Sequence, residues 1–274
     1  MSVFRPSAAR RPSYAVCAGT CAAAIVLLTA CDNTSHTATG NRDVRVGATV
    51  SAGVAGPQAD GARGRAAPAP AVPRVRPREI PALGLRTRAA IPAESRQALV
   101  VTGDSYDSSL STAVLYTRDD PAAGWRAATD RWPAHNALNG WTDEHWEDDL
   151  RTPTGVYGLT SAGGLLEPPG TMFPYNQSPD FALSGEGFDG EPLAGSFDYV
   201  VAVDYNRIPG ASPLDPERPL GKERGGGIWI HVDHGGPTQG CISLPADRMR
   251  ELLQLLDPAK KPVVVMGDME GLER

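Results

Sequence analysis

From about Arg96 onward the chain is a series of short apolar runs broken by glycine, proline and polar turn residues. Residues 98–102, 112–116, 155–159, 199–203, 227–232 and 262–266 are rich in Val, Ile, Leu, Thr or Tyr and bounded by turn formers, which predicts six strands. One segment has a different period. Met249, Leu252, Leu253 and Leu256 fall at i, i+3, i+4 and i+7, the spacing of one helix face. Pro245 suits the first turn, Asp247 complements the N-terminal dipole, and Asp257-Pro258 stops the run. Many short strands with few helices predict a mainly β domain, sandwich or barrel-like, over residues 96–274.

Before Arg96 the pattern is different. Arg5, Arg10 and Arg11 precede an uncharged, mostly apolar run from Tyr14 to Ala30, slightly short for a membrane-spanning helix. This has the form of a signal peptide over residues 1–30. It ends in Leu28-Thr29-Ala30-Cys31, which resembles the lipobox of bacterial lipoproteins and marks Cys31 for lipidation. An uncleaved anchor helix or an ordinary secretory signal is the plainer alternative. Residues 31–95 are rich in Ala, Gly, Pro, Ser, Thr and Arg without sustained periodicity, and read as a flexible tether. The expected location is therefore outside the cytoplasm, anchored to the membrane by lipid and facing the wall.

Charge and cysteine content narrow the function. Net charge is −6, and it becomes more negative once the leader's arginines are removed. No basic stripe is available for phosphates, so nucleic acid is not an expected partner. Of four cysteines, Cys17 and Cys21 lie in the leader and Cys31 carries the anchor, which leaves Cys241 as the one free thiol of the exported protein. Such a residue is either inert filler or a reactive group, and its neighbours decide.

Those neighbours run Trp229-Ile230-His231-Val232-Asp233-His234-Gly235-Gly236-Pro237-Thr238-Gln239-Gly240-Cys241-Ile242-Ser243. A strand delivers a histidine, a glycine-rich loop turns the chain, and a cysteine follows shortly before a helix. A nearby base and a helix N-terminus both favour a thiolate, so Cys241 is the expected nucleophile and His231 its base. His234 competes for the base role from the loop. Gly240 permits close approach of a carbonyl, and N–H groups near Gly240, Cys241 and Ile242 are candidates for an oxyanion hole.

This segment resembles the catalytic domain of L,D-transpeptidases, the YkuD family. The family carries a histidine at a strand end, then Ser/Thr-His-Gly-Cys and a hydrophobic residue. Here the matching residues are Ile230-His231 and Thr238-Gln239-Gly240-Cys241-Ile242. Thr152-Pro153-Thr154-Gly155-Val156-Tyr157 and Asp204-Tyr205-Asn206 resemble two further family segments. Three departures stand out: Gln239 replaces a histidine, His231 precedes Cys241 by only ten residues, and Ser243 stands where arginine or asparagine is common.

The resemblance implies that Cys241 attacks the carbonyl of a diamino acid in a peptidoglycan stem peptide and expels the terminal D-alanine. The thioester then passes to an amine, giving a cross-link, or to water, giving a trimmed stem. It also implies reactivity toward β-lactams of the carbapenem class, no cofactor, and a place for Thr238 in shaping the loop or lining the pocket. Gln239 would line the same pocket. The second reading is a wall-binding lipoprotein that kept the fold and lost the reaction.

Other clusters have plainer readings. Zinc held by His231, Asp233, His234 and Cys241 has spacing unlike common structural sites, so no metal is expected. His135 and His145, among Trp132, Trp141 and Trp146, read as packed or surface residues. The acidic run Asp143, Glu144, Glu147, Asp148 and Asp149 reads as a solvated face that is also able to attract a cationic amine.

Overall fold

All six expected strands form, and eight strands close into a barrel. The structure, a computed structural model, describes residues 78–274. The expected leader, Cys31 and the tether as far as residue 77 lie outside the described residues. In chain order the strands are β1 (Gln97–Gly103), β2 (Leu110–Thr117), β3 (Arg126–Ala127), β4 (Trp132–His135), β5 (Trp141–Thr142) and β6 (Thr152–Pro153). Then come β7 (Gly155–Gly164), β8 (Tyr175–Gln177), β9 (Val200–Val203), β10 (Trp229–Val232), β11 (Ile242–Leu244) and β12 (Val263–Asp268). The helices are α1 (Leu85–Ala90), α2 (Ala246–Leu255) and α3 (Met269–Leu272). The circuit runs β1–β12–β7–β9–β10–β11–β4–β2, and antiparallel pairing of β2 with β1 closes it. Closure leaves no open edge on those eight strands. None of the described helices is long and apolar enough to cross a membrane.

Alternation along the strands fills the interior. Leu99 and Val101 of β1, Val201 and Val203 of β9, Ile230 and Val232 of β10, and Ile242 and Leu244 of β11 share one buried cluster. Met249, Leu252, Leu253 and Leu256 add the apolar face of α2 to it, as their spacing predicts.

A second cluster lies on the other face of β1 and β12, where Ala98, Val100, Val263 and Val265 meet Ile80, Leu83, Trp125 and Leu272. This corrects the expected domain boundary. The chain packs from Ile80 onward, so residues 80–95 belong to the folded unit rather than to the tether. Burying Ile80 and Leu83 contributes roughly 1.5–3 kcal/mol each, enough to hold the segment down. Double-sided cover also explains why residues 98–101 and 263–266 are continuous apolar runs rather than alternating ones.

One local expectation fails. Cys241 does not run directly into a helix N-terminus, because β11 intervenes between it and α2. Ile242 and Leu244 are needed in the core beside Ile230 and Val232, and parallel pairing extends those three residues. At about 3.3 Å per extended residue, α2 begins roughly 16 Å beyond Cys241. A helix dipole acts over little more than its first turn, so it does not reach the sulfur.

Candidate active site

The parallel pairing of β10 with β11 creates the geometry of the site. Ile230 faces Ile242 and His231 faces Ser243, so Cys241, just ahead of β11, lies beside Trp229. Ile230 and Ile242 point into the barrel. Alternation therefore turns Trp229, His231, Cys241 and Ser243 outward on one face. A diagonal step separates Cys241 from His231. The loop between the two strands, residues 233–241, is short for a parallel connection, and it carries His234, Thr238, Gln239 and Gly240.

Above this face lies a cleft of about 410 Å³. His231, His234, Thr238, Gln239, Gly240 and Cys241 all line it. Ile242 does not: its side chain is fully buried in the core. One wall is the segment before β9, including Leu183, Phe188, Leu193 and Phe197. The opposite wall brings in His145, Glu147, Asp148 and Leu150.

The sulfur is held by backbone alone. The Trp229 N–H donates to Cys241 Sγ at 3.4 Å, and the thiol donates to the Gly227 carbonyl at 3.7 Å. Among the described residues neither His231 nor His234 is hydrogen-bonded to it. Burial pushes the thiol up to about 11, with the Trp229 N–H pulling the other way. Neither a helix dipole nor a paired cation offsets this desolvation in the resting site.

His231 is 3 % exposed, and burial lowers it to about 4, so its imidazole is neutral at ordinary pH. Its Nδ1 lies 2.9 Å from the Val232 carbonyl. A carbonyl only accepts, so Nδ1 carries the hydrogen and Nε2 is the free acceptor. Phe197 packs edge-on against both His231 and Trp229, with ring centroids 5.2 and 5.0 Å away. His234 lies nearly parallel to His231, at 5.8 Å and 11°. Its Nδ1 meets Glu191 Oε1 at 2.9 Å.

Thr238 pins the nucleophile's backbone as well as lining the cleft. Its hydroxyl donates to the Cys241 carbonyl at 2.7 Å, and Thr152 Oγ1 lies 3.5 Å from the same oxygen. The N–H groups of Gly240 and Cys241 donate to no carbonyl outside the strand ladder among the described residues. Gly225, Gly226 and Gly227 have φ of 62°, 149° and 66°, values that favour glycine, and they bring the Gly227 carbonyl up to the sulfur. Tyr205 and Asn206 hold this turn, through the Arg224 carbonyl and the Gly221 and Gly225 carbonyls. That gives the Asp204-Tyr205-Asn206 segment a physical role beneath the cleft.

Ser243 and Asp233 form a support below the loop. Asp233 Oδ1 accepts from Ser243 Oγ at 2.8 Å and from the His135 ring at 2.9 Å. Burial raises the Asp233 carboxyl, but these bonds outweigh it and bring it down to about 2. His135, expected as a packed or surface residue, is thus a partner of the loop, and the bond to Asp233 raises its pKa. Among the described residues no group of three His, Cys, Asp or Glu side chains is placed to hold a metal ion.

The sequence does not mark two residues of the site as functional, one lining the cleft and one behind His234. His145 is 5 % exposed and walls the cleft against Gly240, although it is far from Cys241 in the chain. Its Nδ1 is 3.0 Å from Asp149 Oδ1 but misaligned for a hydrogen bond. Glu191 comes from a polar loop with no motif of its own. No local pattern signals either residue, since only the closure of the barrel brings them here.

A family model described as YkuD, the L,D-transpeptidase catalytic domain, matches residues 106–265. No curated protein and no solved structure matches the chain.

Proposed function

The chain belongs to the L,D-transpeptidase catalytic-domain family, and from that premise we propose that it is a cysteine acyltransferase acting on peptidoglycan stem peptides. The observation that supports this most is the placement of Cys241 on the cleft floor, one diagonal step from a buried neutral imidazole. In this reading Cys241 is the nucleophile and His231 the base. Residues 1–31 supply a signal peptide and a lipid anchor at Cys31, and the tether gives the enzyme reach into the wall.

The chemistry follows from the resting state. Substrate binding turns the thiol proton from the Gly227 carbonyl to His231 Nε2 as sulfur attacks the stem-peptide carbonyl. The oxyanion forms within reach of the Gly240 and Cys241 N–H groups. The C–N bond breaks, and the departing D-alanine amine takes the proton from His231. An amine of a second stem then attacks the thioester and gives its proton to His231. The C–S bond breaks, and sulfur recovers the proton. Water in place of the amine gives the trimmed stem.

The raised thiol and the absence of a bond from sulfur to either imidazole support a second reading, a wall-binding protein without turnover. Intact-mass measurement after exposure to a carbapenem and to purified tetrapeptide stems separates the two. A Cys241 adduct together with dimeric stems supports acyl transfer, and trimmed monomers alone restrict it to hydrolysis. A folded protein that gains no adduct and converts no stem leaves only the binding role.

A further inference from the structure

The covering segment, residues 183–197 before β9, walls the cleft and is tied to the Cys241 loop by one hydrogen-bonded pair. Glu191 and His234 meet at 2.9 Å, with side chains only 12 % and 6 % exposed. The carboxylate is placed on both oxygens. Oε1 takes the His234 ring, and Oε2 accepts the Asp189 N–H at 2.8 Å.

The carboxylate fills space that two neighbouring glycines leave open. A Cβ at Gly187 would lie 1.9 Å from Glu191 Oε1, and one at Gly236 would lie 2.3 Å from it. One glycine is in the covering segment and the other in the Cys241 loop, so both sides are shaped around the same carboxylate.

The pair has a further contact. With Nδ1 directed at Glu191, the His234 ring is fixed in the plane that stacks on His231. Phe197 closes the far side of His231 edge-on, and the Val232 N–H donates to the Ser196 carbonyl in the same covering segment. His231 therefore sits between two groups that the covering segment sets in place. The charged or titratable groups around His234 are Glu191, His231 and Asp233, with His135 behind Asp233.

We infer that Glu191 is a positioning residue for the reaction at Cys241: through His234 it clamps the covering segment to the Cys241 loop and fixes the ring on which His231 rests. This rests on the acyl-transfer reading for its consequence in turnover, but the geometry concerns thiol reactivity itself. Glu191 does not touch the sulfur or a substrate. Its effect passes through two imidazoles.

The test is a double-mutant cycle on the full chain, read by the rate at which iodoacetamide alkylates Cys241 across pH, with kcat and KM on tetrapeptide stems alongside. Glu191→Ala and His234→Ala should each slow base-assisted alkylation by about tenfold or more, the scale of a hydrogen bond to a charged group. The double variant should be no slower than the worse single one, because both remove the same link. Glu191→Gln keeps the shape between the two glycines and should still alter the pH profile and the His234 side-chain NMR titration. Gly236→Ala should reproduce Glu191→Ala, since its methyl displaces a flexible carboxylate rather than backbone.

Additive losses in the double variant, or wild-type rates and profiles in Glu191→Gln and Glu191→Ala, would overturn the inference. The two readings fail separately. Stems left unconverted with a non-additive alkylation cycle remove the wall chemistry and keep the clamp, whereas turnover with an additive cycle removes the clamp alone.

Discussion

Trp229 and Cys241 stand beside each other at the ends of two parallel strands, and the backbone N–H of the first donates to the sulfur of the second at 3.4 Å. The contact follows from register, since Ile230 faces Ile242 one position further on. It is the only donor bonded to this sulfur among the described residues, and with it in place burial still raises the thiol to about 11. No thiolate is held in waiting at this site, so reaction of the sulfur depends on a base that takes the thiol proton.

Alkylation kinetics check this directly. In the resting enzyme the rate of iodoacetamide modification at Cys241 should stay low at neutral pH and climb steeply above pH 9 toward the raised value of about 11. A rate already on a plateau at pH 7 would mean a stabilised thiolate and would contradict the arrangement described.

The two imidazoles should separate by mutation. His231→Ala removes the free Nε2 acceptor and should lower kcat by roughly 10²–10⁴, the usual contribution of a general base. His234→Ala removes a stacked neighbour and should leave more activity. The reverse order, measured by stem-peptide turnover on folded variants, would assign the base to His234.

Thr238→Val tests the support of the nucleophile. The valine keeps the volume but loses the 2.7 Å bond to the Cys241 carbonyl, which should cost about 1 kcal/mol of stability. Denaturant unfolding gives that figure. A larger proportional loss in acylation rate than in stability would place the defect in the alignment of Cys241.

His231 also predicts a pH dependence of stability. Its folded value is about 4, against an unfolded value near 6.5, so the unfolded chain binds more protons between those limits. The contribution is present in full above pH 6.5 and is lost as pH falls toward 4, by about 3 kcal/mol in total. His135 acts in the opposite sense, since its raised pKa favours the folded state once it is protonated. His231→Gln should flatten the fall in Tm between pH 6.5 and 4, and an unchanged slope would rule out a buried neutral His231.

Much of the fold was readable locally. The runs that became β1, β2, β7, β9, β10 and β12 announce themselves by β-branched and apolar content between turn formers. Helix α2 does so by its period. The missed strands were short or compositionally mixed: β4 contains Pro133 and His135, and β11 is only three residues long. Their pairing comes from partners elsewhere in the barrel, which a local window does not contain. The failed boundary at Arg96 has the same cause, because Ile80 and Leu83 are isolated apolar residues in a proline-rich stretch until β1 and β12 offer them a surface.

For the site, the chain alone determined the cast near Cys241: a strand bearing His231, a glycine-rich loop bearing His234 and Thr238, and a thiol beside Gly240. Those are matters of residue type and spacing within one short segment. Tertiary structure decided everything that depends on distant neighbours. Parallel register puts Trp229 against the sulfur, barrel closure brings His145 and the covering segment to the cleft, and Glu191 reaches His234. The protonation of Cys241 belongs with these. A thiol's charge is governed by how much water its surroundings exclude and which dipoles replace it, and residues far away in the chain supply both.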